Sequence, residues 1–77
     1  MMKNIDVVKA FVKGLPASSG NLRSTGNELI SYSTVIAQYE NGGKDIVMTS
    51  KKYSQTTSTH QNMLRILASK LIERETI

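Results

Sequence analysis

Cysteine and tryptophan are absent from this chain of 77 residues, and proline, phenylalanine and histidine each occur once. Without cysteine there is neither a disulfide framework nor a thiolate zinc site. A single histidine with scattered carboxylates leaves no set of ligands at metal-binding spacing, so neither a metal nor a cofactor is expected. No apolar run approaches the ~18–20 residues of a membrane-spanning helix. The opening Met1-Met2-Lys3-Asn4-Ile5-Asp6 carries no uninterrupted apolar stretch and no cleavage pattern. These absences point to a small soluble intracellular protein with no membrane partner. The lone proline and lack of long glycine runs leave no interdomain linker, so residues 1–77 read as one domain. A chain this short buries only about 60–65% of its unfolded surface, which makes for a thin core.

What is present in excess is positive charge. Ten Lys and Arg face six Asp and Glu, for a net charge of +4. Such an excess attracts nucleic acid or other acidic partners, although small basic proteins without that role are common.

Apolar periodicity suggests a helix at either end of the chain. Ile5, Val8, Phe11, Val12 and Leu15 follow helical spacing, giving a helix over about 4–14 with Asn4 as its cap and Gly14 and Pro16 as its stop. Ala17 to Gly20 reads as loop. Strands are expected over about 21–24, 28–39 and 44–50, separated by turns at Thr25-Gly26-Asn27 and Glu40-Asn41-Gly42-Gly43. The long middle strand is apolar on both faces, with a bulge near Ser33 as another source of that pattern. A second helix over about 58–73 opens on Ser58-Thr59-His60-Gln61, which has capping-box spacing. The expected fold is therefore α+β, ordered α-β-β-β-α, with a three-stranded antiparallel sheet and both helices on one face. That order is the one seen in double-stranded-RNA-binding domains, without the loop histidine those domains use. Ile66 falls off the apolar stripe of the second helix, and with the thin core it makes a homodimer plausible.

Catalysis finds little support in the residues. His60 is the only imidazole, and the nearest acids in sequence, Asp45 and Glu73, are distant. A nucleophile needs a base, and that base normally needs an orienting group. Anion binding is better served. Ser54 to Gln61 is rich in hydroxyls and leads into a helix start, where free backbone N–H groups favour an anion. The candidate ligand-binding residues are Lys51, Lys52, Tyr53, Thr57, Ser58 and His60, supported by Arg23. The plainer reading is that Ser58 caps a helix and His60 packs at the edge of the core.

Two stretches resemble motifs of short, uncharacterised proteins encoded by bacteriophages and prophages. They are Leu29-Ile30-Ser31-Tyr32-Ser33-Thr34-Val35-Ile36-Ala37 and Lys52-Tyr53-Ser54-Gln55-Thr56-Thr57-Ser58-Thr59-His60-Gln61. The resemblance spans Ser18 to about Leu67 and includes Ser19-Gly20-Asn21-Leu22. It implies a phage origin and a bacterial cytoplasmic setting. The function expected is a non-enzymatic binding protein that engages nucleic acid or a phosphate-bearing ligand. The alternative is an anti-defence or host-takeover protein that inhibits a host protein.

Overall fold

The computed structural model describes residues 2–75 and residue 77. Helix α1 (Asn4–Val12) is followed by five strands: β1 (Pro16–Ser18), β2 (Leu22–Thr25), β3 (Glu28–Ser31), β4 (Thr34–Glu40) and β5 (Asp45–Thr49). Helix α2 (Gln55–Leu67) then leads to β6 (Ile72–Arg74). The strands form one six-stranded sheet in sequential order, antiparallel except for the parallel β5–β6 pair. The expectation of three antiparallel strands is therefore wrong, and with it the likeness in order to a double-stranded-RNA-binding domain.

Three local effects account for the difference. First, the stretch read as one strand over 28–39 is two strands joined by a tight turn. Ser31 pairs with Thr34, leaving Tyr32 and Ser33 as the turn, and Tyr32 takes φ +57°. Tyr32, which takes the positive φ, is not a usual turn former, and Ser33 is a weak one, so the sequence hides the reversal. The bulge lies elsewhere: Leu29 pairs with Ala37 but Ile30 with Val35, which leaves Ile36 as the extra residue. Second, Pro16–Ser18, read as loop, pairs along β2 as an edge strand, a position where proline's missing N–H is tolerated. Third, α2 stops at Leu67, where Ala68 turns extended with ψ 124°. Ile72–Arg74 then pairs with Val47–Thr49, which gives β5 a second neighbour. Backbone pairing at an open sheet edge outweighs the helical pattern that runs to Glu73.

The core lies between the helices and one sheet face. Val7, Val8 and Phe11 of α1 and Leu64 of α2 pack on Leu22, Leu29, Ile36, Ala37 and Met48. Tyr39 adds a tilted ring contact to Phe11 at 5.1 Å. Its one hydroxyl proton is shared between the carbonyls of Phe11 and Val12, holding the end of α1 to the sheet. Among the described residues the opposite face carries no helix; Arg23, Ile30 and Val35 lie on it, because Arg23 pairs with Ile30 and Ile30 with Val35.

Candidate functional site

Both helix starts differ from the expected caps, and the difference frees polar side chains for the interior. At α1 the N-cap position is Lys3, whose backbone N–H donates to the Asp6 carboxylate at 3.2 Å. Asn4 is thereby released from capping. At α2 the cap is Ser54, one turn earlier than Ser58, and its hydroxyl accepts from Thr57 N at 3.1 Å. The earlier start brings Thr57 into the helix, and Thr57, His60, Gln61 and Leu64 form its buried face.

His60 is wholly buried and joins both helices to the sheet. The Ser19 hydroxyl donates to Asn4 Oδ1, which leaves the Asn4 amide to donate to His60 Nε2 at 3.1 Å. The ring proton therefore sits on Nδ1 and is given to Ser31 Oγ at 2.9 Å. Ser31 in turn contacts Thr57 Oγ1 at 3.0 Å, within reach of the Ser54 cap at 3.2 Å. Every partner of the ring is neutral, and burial pushes the His60 pKa below the usual histidine value. A neutral imidazole with both nitrogens engaged serves to join elements. Gln61 plays a similar part, donating to the carbonyls of Thr49 at 2.9 Å and Lys51 at 3.1 Å, which fixes the chain as it leaves β5.

The other candidates stay outside. Lys51, Lys52 and Tyr53 are exposed, Ser58 is half-buried, and Arg23 is exposed on the helix-free face. The strand register places them with respect to one another. Met48 pairs with Ala37, so β5 ends beside the start of β4, and Lys51 to Tyr53 leave the sheet at the end where Tyr32 and Ser33 turn. Leu22 pairs with Ser31, which brings Asn21 and Arg23 to the same end. Thus Tyr32 and Arg23 lie near one another, and Lys51, Lys52 and Tyr53 leave the same end of the sheet from β5, three strands along from β2, while Thr57 and His60 are buried. Among the acids, Glu28, Glu40 and Asp45 map to the opposite end of the sheet, whereas exposed Glu75 follows β6 beside Thr49 at the end from which Lys51 leaves. Glu73 is paired with Arg65 at 2.8 Å.

On the helix-free face at this end lies an open groove of about 490 Å³. Asn21, Arg23, Ile30, Tyr32, Ser33 and Val35 line it. Arg23 makes no ion pair or side-chain hydrogen bond among the described residues. Tyr32 is 55% exposed, although its backbone N–H is fixed by the Asn21 carbonyl at 2.7 Å. Sequence reasoning placed Tyr32 within a strand and missed the groove. The positive φ that turns its ring outward leaves no mark in residue type.

Among the described residues, no three or more His, Asp or Glu side chains are grouped to hold a metal ion. No helix of the described residues is long and apolar enough to cross a membrane. No curated protein and no solved structure matches the chain. A model for a family of unknown function (DUF8033) matches residues 5–74, and the chain belongs to that family.

Proposed function

We propose that this is a small, phage-encoded, non-enzymatic binding protein that engages nucleic acid or another phosphate-bearing ligand through the basic end of its sheet. The observation that carries the reading is that Lys51, Lys52 and Arg23 and the exposed Tyr32 and Tyr53 all lie toward one end of the sheet, with Glu28, Glu40 and Asp45 toward the other. Cations supply sequence-independent attraction to phosphates, and rings supply surfaces on which bases stack. The burial of His60 among neutral partners favours binding over catalysis at this end.

The test is the salt dependence of binding to a labelled single-stranded oligonucleotide. Three phosphate contacts give a slope of roughly −2 for log K against log salt. Lys51→Glu with Lys52→Glu weakens binding and flattens that slope. Unchanged affinity and slope in the double variant would remove the assignment.

A second reading, a phage protein that blocks a host protein, draws on Ile66, which is 81% exposed on α2. It predicts recovery of one host protein from lysate after nuclease treatment, with the recovery lost in Ile66→Lys.

A further inference from the structure

Within the basic end, the groove on the helix-free face joins features of different chemistry. Ile30 and Val35, side by side on β3 and β4, supply the apolar part of a lining that is otherwise mostly polar. One cation, Arg23, stands next to Ile30 on β2, with no acidic side chain in the lining. Asn21 and Ser33 add short polar groups, and the Tyr32 ring stands half-exposed at the turn. The size falls within the ~300–1,000 Å³ usual for pockets that take small organic groups.

The independent observation is the backbone of Tyr32. Only the first of the two turn residues has a positive φ, at +57°. Glycine is the usual occupant of such a position, and a bulky side chain there is strained. Strain of this kind persists where the surrounding structure enforces it, and it clusters at binding sites. Here the left-handed residue is itself part of the groove lining, and the neighbouring Arg23 has no side-chain partner among the described residues.

We infer that this groove holds one nucleotide unit of a single-stranded nucleic acid, with the base against the Tyr32 ring and the Ile30–Val35 pair and a backbone phosphate on Arg23. A base in a duplex has both faces covered by its neighbours, so the ring requires an unpaired base. An acidic peptide would satisfy Arg23 but would leave the ring and the apolar pair without a flat partner. The inference rests on the nucleic-acid reading proposed above and adds where the base sits and which strand state is bound.

The test uses the full chain and a labelled oligothymidylate of about twelve nucleotides, within the ~4–16 covered by small single-strand binders. Tyr32→Gly is the decisive variant, because glycine relieves the positive φ while removing the ring. It is expected to melt no lower than the parent yet to bind ~10-fold or more weakly, the usual cost of removing a stacking ring. Tyr32→Phe keeps the ring and should retain most of the affinity. Arg23→Gln should weaken binding and reduce the salt slope by somewhat less than one unit. Duplex of the same length should bind more weakly than the single strand. Competition by free thymidine monophosphate, lost in Tyr32→Gly, would support the same groove with a mononucleotide as its source.

Parental affinity in Tyr32→Gly overturns the inference, as does duplex binding as tight as single-strand binding. If Lys51→Glu with Lys52→Glu still abolishes binding in that case, the broader reading stands and only the groove is lost. No oligonucleotide binding by the parent protein removes both.

Discussion

Mild acid should destabilise this fold through one group, His60, before any carboxylate titrates. The chain has a single histidine. The interval between an ordinary histidine, near 6.5, and an ordinary glutamate, near 4.3, therefore belongs to His60 alone. Its native pKa is lowered by burial. In the unfolded chain it takes up a proton near its ordinary value, so below about pH 6.5 the unfolded state binds more protons than the native state. Stability must therefore fall as pH falls through 6.5 and continue to fall until the native pKa is reached. The geometry gives the reason. A protonated ring donates from both nitrogens, which sets Nε2–H against the Asn4 amide that now donates to it. Asn4 could present its oxygen only by turning its amide over, with the Ser19 hydroxyl changing from donor to acceptor.

One such group imposes at most about 1.4 kcal/mol per pH unit. Against roughly 4–11 kcal/mol for a domain of this length, that is a large share. It corresponds to a melting shift of roughly 5–10 °C per pH unit at the steepest. Urea unfolding at pH 7.5, 6.5 and 5.5 reads it directly, with His60→Gln as the variant that should lose the slope in this interval. Nitrogen chemical shifts of the ring should show the proton on Nδ1 at neutral pH, whether or not the variant folds. Constant stability from pH 7.5 to 5.5, or a proton on Nε2, would refute the reasoning.

Other outcomes follow from particular contacts. Glu73, held low by its hydrogen bonds from Arg65, and Glu40, held low chiefly by Gln38 and then Arg74, act in a separate window. Their contribution is present above ordinary glutamate pKa values and is lost as pH falls below about 4.3, so acid unfolding should show a second, lower phase. Gly26→Ala should destabilise, because Gly26 has φ +93° and an added Cβ would lie 3.1 Å from the Gly14 carbonyl oxygen. A loss of about 1–3 kcal/mol in urea unfolding is expected from backbone strain of that kind. Tyr39→Phe removes a hydroxyl that donates to the α1 carbonyls and should cost about 1 kcal/mol, with faster amide exchange at Gly14 and Leu15. Gln61→Leu leaves the Thr49 and Lys51 carbonyls without their side-chain donor and should cost about 1–3 kcal/mol, read by thermal unfolding.

Helix α1 and the turn between β4 and β5 were more legible in the sequence than the β3–β4 turn or the C-terminal strand. Helix α1 shows itself through Val8 and Phe11 at helical spacing, and Asn41-Gly42-Gly43 announces a reversal because all three adopt positive φ. The Tyr32-Ser33 turn carries no such residue types, so two strands looked like one. Strand β6 was hidden for a different reason. Leu71 extends the apolar stripe of α2, and only the open edge of β5, a feature of the tertiary fold, draws Ile72–Arg74 into the sheet. At the candidate site, Lys51, Lys52 and Arg23 could be named from charge, but their neighbourhood depends on register. His60 and Thr57 lie in the hydroxyl-rich run that suggested a ligand site. With the cap at Ser54, Thr57 falls within α2 and shares its buried face with His60, where Ser31 and Asn4 satisfy them.

The measurement that bears most directly on the central claim is fluorescence anisotropy of a labelled single-stranded oligonucleotide titrated with the protein at low salt, then at increasing salt. The account predicts saturable binding that weakens with a log–log slope of roughly −2, tighter for single strand than for duplex. No anisotropy change up to roughly 100 µM protein, the weak end of non-specific nucleic-acid binding, would contradict it.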